Sequence, residues 1–95
     1  NARRFGSPEQ WIRTLGKRVR ELHCKDYRMS IDNINGFTNI LDGDVNYPAV
    51  FAAAREIGFD GNWVVELIPP AHYMVDRTLR HALEALRALE ADEIN

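Results

Sequence analysis

Two short segments about forty residues apart constrain the fold more than anything else in this chain: Leu22-His23-Cys24-Lys25-Asp26 and Trp63-Val64-Val65-Glu66-Leu67. Each reads as a strand that ends in a polar residue able to bind a metal or move a proton. Between them lies Ile40-Leu41-Asp42-Gly43-Asp44-Val45-Asn46-Tyr47-Pro48, then a helical stretch, then Gly58-Phe59-Asp60-Gly61. Helix, strand, helix, strand, helix in sequence predicts an α/β chain with parallel pairing and right-handed crossovers.

Local signals place the elements. Ser7 as N-cap, Pro8 at the first helical position and Gln10 completing a capping-box pattern predict a helix with Trp11, Ile12 and Leu15 on its apolar side, ended by Gly16. Lys17 to Cys24 reads as a strand with Val19, Glu21 and His23 on one face and Leu22 and Cys24 on the other. Residues 26–46 form a long connection, and a connection of that length inside a compact domain is usually functional. Asn46 or Tyr47 caps the next helix and Pro48 starts it. Val50, Phe51, Ala54 and Ile57 make its stripe, and Gly58 stops it at C′. Asn62 to Ile68 reads as the second strand, with Val64, Glu66 and Ile68 on one face, closed by Pro69-Pro70. The last helix begins near Asp76, with Leu79, Leu83, Leu86 and Leu89 expected to point inward.

Composition bounds the function classes. At 95 residues, 45% hydrophobic and 27% charged, the chain is an ordinary globular one with room for a modest core. No run approaches a membrane span and the first residues lack a signal-peptide pattern, so no membrane partner is expected. The single Cys24 excludes an intrachain disulfide and a multi-cysteine zinc site. It is read as a buried, inert thiol in a reduced, cytoplasmic setting. Net charge is −2, unevenly spread: residues 1–30 carry eight Lys/Arg against three Asp/Glu, and the remainder four against eleven. The basic residues are scattered with few aromatics between them, so we read a solvated helix face and expect no nucleic-acid partner.

The order of these motifs resembles the C-terminal part of the sugar phosphate isomerase/epimerase family, the xylose isomerase-like TIM barrels. Their pattern is His-x-Lys-Asp, then Leu-Glu-Gly-Asp-Val-Asn-Trp, then Gly-Tyr-Asp-Gly, then a strand ending in Glu. This chain has Asp42 where the family often has Glu, and Asn62-Trp63 where an apolar residue tends to follow Gly directly. A complete (β/α)₈ barrel takes ~250 residues, so the resemblance implies about three of its eight units, from the helix after strand five through helix eight. It also implies that the short seventh strand lies within residues 26–46, and that Asn1 closes the Asp-x-Gly-Asn motif of strand five.

In that family one divalent metal is held by a Glu from strand four, an Asp from strand five, a His from strand six and a Glu from strand eight. By resemblance His23 and Glu66 are the last two ligands, for Mn, Mg, Co or Zn, and the first two precede Asn1. Two donors alone make a weak site. The implied reaction on a small-molecule sugar is proton transfer through an enediolate, with Glu66 as one of two catalytic glutamates. Arg28 is the implied contact for a sugar hydroxyl or phosphate, and Lys25 and Asp26 orient the site. Hydroxypyruvate isomerase or dehydratase activity stays open, since fold resemblance does not fix the reaction. A second expectation is a non-catalytic partial barrel that self-associates through its open edges as an assembly unit. Asp42 and Asp44 are read as a tight turn around Gly43 and not a calcium loop. Glu21 is expected to meet a basic group outside this chain or to sit low at the barrel rim. His72 and His81 are read as loop and helix-surface residues.

Overall fold

Both prolines in the first half stand where a helix opens, at the position whose N–H has no intrahelical acceptor. Helices α1 (Pro8–Leu15) and α2 (Tyr47–Glu56) begin there, and α3 (Val75–Glu90) follows later. The computed structural model describes residues 1–67 and 74–94. Strands β1 (Glu21–Cys24), β2 (Asp26–Tyr27), β3 (Phe37–Thr38) and β4 (Asn62–Val65) complete the set. The chain is thus α/β, with three α-helices and a small parallel sheet among the described residues. The expected helix start near Asp76 falls one residue late. The strand end at Ile68, the Pro69-Pro70 stop and His72 lie outside the described residues.

β1 and β4 pair directly and in parallel, with Glu21 opposite Asn62 and His23 opposite Val64. That corrects the expectation of a strand between them. Among the described residues 26–46 hold only the two-residue strands β2 and β3, which pair with each other antiparallel. The described residues therefore make two βα units preceded by a helix, fewer than the three expected. The first strand is also shorter than Lys17–Cys24. Gly16 leaves α1 at φ 56°, and Gly16–Arg18 continues as a 3₁₀ turn. The Arg18 guanidinium donates to the carbonyls of Leu15 and Thr14, holding that turn against the helix end.

The caps divide. Asn46 Oδ1 accepts from the Ala49 N–H at 3.2 Å, as its position before Pro48 predicts. Gly58 takes φ 68°, and the Gly58 and Phe59 N–H groups reach back to Arg55 and Ala54 in a Schellman closure. Ser7 has the extended backbone of an N-cap but its hydroxyl caps nothing, so the capping box is not made.

The helices cover one face of the sheet. Leu22, Cys24, Trp63 and Val65 meet a core of Ile12, Ile40, Tyr47, Val50, Phe51, Ala53, Ala82, Ala85, Leu86 and Leu89. Phe51 stacks on Trp63 at 4.1 Å, and Phe59 meets the same indole edge-on at 5.5 Å. Arg13 forks onto Glu56 to join α1 and α2, and Arg55 donates to the last carbonyls of α3. Two expected stripes hold in part: Ile12 of α1 and Leu86 and Leu89 of α3 are buried as expected. In α1 only Ile12 is buried, while Trp11 and Leu15 are exposed; in α3 Leu79 and Leu83 are exposed and alanines take the inner positions.

Candidate functional site

Among the described residues the three α-helices pack on the Leu22 and Cys24 side of the sheet, and the period of two sends Glu21, His23 and Lys25 from β1 and its end to the opposite side. Glu66 follows β4, and its N–H donates to the Cys24 carbonyl at 2.9 Å, continuing the parallel ladder by one residue. Its side chain shares the face of His23 because His23 lies opposite Val64, two residues earlier. Both groups stand at C-terminal strand ends, as expected.

The four side chains form a chain of contacts with alternating charge. Glu21 Oε1 lies 2.7 Å from His23 Nε2, His23 Nδ1 lies 3.3 Å from Glu66 Oε2, and Lys25 Nζ donates to Glu66 Oε1 at 3.2 Å. His23 and Glu66 are about half exposed, and Lys25 is mostly covered, its ammonium 5.1 Å above the Phe37 ring. Hydrogen bonds to Glu21 first and to Glu66 second raise the His23 pKa above its usual value. Lys25 first and His23 second hold the Glu66 carboxyl below the usual range. His23 thus stands between two carboxylates, with Lys25 closing the row.

Glu21 departs from expectation: its partner is His23 of the same strand, two residues on. The i, i+2 spacing was the signal that could have found it.

Asp26, expected to orient the site, lies beneath the connection that follows β1. It is fully buried, and its carboxylate accepts from the N–H groups of Tyr27 at 2.9 Å, Leu41 at 2.9 Å and Val45 at 3.1 Å. It folds the connection 26–46 and so fixes the stem from which Lys25 points. Gly43 is required beside it, since a Cβ there would collide with Asp26 Oδ1 and the Tyr27 backbone nitrogen. Asp44 accepts from the Met29 N–H, so the Asp42-Gly43-Asp44 segment is a turn held by its own chain, as read. Arg28 Nε donates to the Asp42 carbonyl at 3.1 Å, which ties the guanidinium to that same turn. Tyr47 Oη donates to the Lys25 carbonyl at 2.6 Å from the core side. Burial pushes the Cys24 thiol up to about 12, so it is inert as expected. His81 lies on the α3 surface, as read, with Nε2 3.1 Å from the Ile40 carbonyl oxygen.

The 3.3 Å between His23 Nδ1 and Glu66 Oε2 bears on metal binding. Two neighbouring ligands at ~2.1 Å from a cation are separated by about 3 Å, so this imidazole and carboxylate fit adjoining coordination positions with little movement. Among the described residues no three His, Cys, Asp or Glu side chains converge on one point. Glu21 lies against the other ring nitrogen and not beside Glu66. The described residues bring two donors together here.

A groove of about 510 Å³ runs beside β1, lined by Trp11 and Leu15 of α1 and by Glu21, His23 and Lys25. Glu66 does not line it, so the groove is not where the two donors meet. It follows the edge of β1 that has no partner strand among the described residues. No helix among the described residues is long and apolar enough to cross a membrane. Comparison of the chain with protein-family models, with curated proteins and with solved structures finds no match.

Proposed function

We propose that this chain is the C-terminal part of a (β/α)₈ barrel that carries out metal-dependent isomerisation or epimerisation of a sugar or sugar phosphate. One observation carries the reading: His23 and Glu66 stand 3.3 Å apart at the C-terminal ends of adjacent parallel strands, on the face that no α-helix covers among the described residues. Parallel barrels gather their chemistry at those strand ends. The open β1 edge and its apolar groove support the barrel, because a preceding parallel strand packs in such a place.

In this reading Glu66 takes a proton from the carbon beside a sugar carbonyl and returns it to a neighbouring position. Lys25 and His23 favour its ionised form, the form that accepts a proton, and make it a weaker base than a free carboxylate. Lys25 orients that carboxylate through Oε1, while Oε2, the oxygen that faces His23 Nδ1, is the one a shared cation would take. A divalent cation held by His23 and Glu66, chosen among Mn, Mg, Co and Zn, would supply Lewis acidity toward adjacent sugar oxygens. Lys25 and the Asp26-centred loop hold the geometry, and Arg28, tied through Nε to the Asp42 carbonyl, is the contact for a sugar hydroxyl or phosphate.

The test is a Mn²⁺ titration of this chain followed by electron paramagnetic resonance of the free ion. One weak site is expected, lost in His23→Ala and in Glu66→Gln. Equal Mn²⁺ uptake by all three proteins would remove the metal site and the reaction built on it.

A second reading has its own observation. Trp11 and Leu15 on α1, with Val75, Leu79 and Leu83 on α3, are exposed apolar residues on the two outer helices. A non-catalytic assembly unit that associates through these flanks accounts for them without any reaction.

A further inference from the structure

Glu21 is the charged residue of the bare sheet face that the proposed reaction leaves without a task. Glutamate is a poor strand former, yet it occupies the first position of β1. Strand period places it on the face of His23, and its carboxylate makes the shortest contact in the cluster, 2.7 Å to Nε2. The opposite ring nitrogen, Nδ1, meets Glu66 at 3.3 Å. The Glu66 carboxylate is also shared with Lys25, whereas Glu21 has His23 as its partner.

The two nitrogens of a neutral imidazole are not equivalent. One carries the hydrogen and the other offers a lone pair, and the partner of the first decides which is which. A close, charge-assisted contact holds the hydrogen better than a long one whose acceptor is divided. Ring nitrogens that bind metals commonly depend on a carboxylate at the far nitrogen, which fixes ring orientation and strengthens the donor.

We propose that Glu21 is the positioning residue of this site: by accepting the Nε2–H of His23 at 2.7 Å, it turns the Nδ1 lone pair toward a divalent cation shared with Glu66. The inference rests on the metal reading of His23 and Glu66. It assigns Glu21 no contact with cation or substrate. It also explains why Glu21 does not converge with the two donors: its place is behind the ring.

The experiment uses Zn²⁺, which is diamagnetic, with the whole 95-residue chain and its Glu21→Ala, Glu21→Gln and His23→Ala variants. Calorimetry reads affinity and ¹⁵N-imidazole NMR reads which nitrogen is metallated. Expected are a His23-dependent site with Nδ1 bound and Nε2 protonated, affinity roughly ten- to a hundredfold weaker in Glu21→Ala, and partial recovery in Glu21→Gln, which keeps an acceptor oxygen. A merely structural loss would change the melting temperature without moving the nitrogen assignment. Wild-type affinity in Glu21→Ala, or zinc on Nε2, overturns the role of Glu21 and leaves the His23–Glu66 site standing. No His23-dependent binding by any form overturns the metal reading, and the role of Glu21 with it.

Discussion

Asp26 illustrates how one side chain can organise twenty residues. Its carboxylate lies fully buried and receives three backbone N–H groups, two of them from fifteen or more positions downstream. Leu41, one of those donors, holds a left-handed backbone at φ 80°, which is costly for a branched residue unless its surroundings impose it. Asp26→Ala strands these buried donors, each at about 1–3 kcal/mol. A loss of roughly 3 kcal/mol or more is expected in urea denaturation, with a smaller loss for Asp26→Asn, which keeps one acceptor oxygen.

His23 makes a pH prediction whose sign follows from its partners. Its folded pKa lies above the unfolded 6.5, so the stabilisation is complete below 6.5 and fades as pH rises through the folded value. Glu66 has the opposite sign: its folded pKa lies below 4.5, so its part is complete above 4.5 and fades as pH falls through the folded value. The cluster therefore stabilises most between 4.5 and 6.5. Both groups are solvent-screened and the effect is small. Thermal melts of wild type and His23→Gln should differ at pH 6 and converge as pH rises through the folded value; a constant gap up to pH 9 would contradict the ion pairing.

At the scale of elements, close approach decides what sequence patterning reveals. α3 turns Ala82, Ala85, Leu86 and Leu89 to the core, and small alanines let it sit near α2. Ala82 is 1% exposed, so Ala82→Leu overfills that seam and should cost 1–3 kcal/mol in urea denaturation. Leu83→Lys, on the open flank, should leave the monomer's stability within about 0.5 kcal/mol. An alanine carries little hydrophobic weight, so the leucine spacing found Leu86 and Leu89 on the buried face but missed Ala82 and Ala85 and added the exposed Leu79 and Leu83. α2 was legible because its signals are local: Asn46, Pro48 and Gly58 each act within one turn. The direct pairing of β1 with β4 was not, because no local residue reports which strand lies next in space. Sharing of one face by His23 and Glu66 followed from period-two alternation, and that same alternation contained the Glu21–His23 pair. The hydrogen bonds of Asp26 were not legible, because they depend on Leu41 and Val45 folding back over it.

At the scale of the whole molecule, the described residues build two layers, helices on one side and a two-stranded sheet on the other. Domains cover both faces of a parallel sheet, because its strands cannot leave backbone groups and apolar surface in water at low cost. Here one face of the sheet and both outer helices remain bare, with Trp11 46% and Leu15 40% exposed on α1, and Leu79 48% and Leu83 44% exposed on α3. An apolar stripe on each of two different helices can pair head-to-tail, a heterologous contact that adds further copies unless the rotation closes a ring. The expected outcome is concentration-dependent association of the 95-residue chain, seen by light scattering after size exclusion. Trp11→Glu and Leu83→Glu, one from each helix, should each shift the population toward monomer while leaving the far-ultraviolet circular dichroism unchanged. If Mn²⁺ also promotes association, copies are completing a shared donor set around His23 and Glu66. Association indifferent to metal but lost in both variants assigns the contact to the helices alone, and a monomer at all concentrations removes self-association from the account of these flanks.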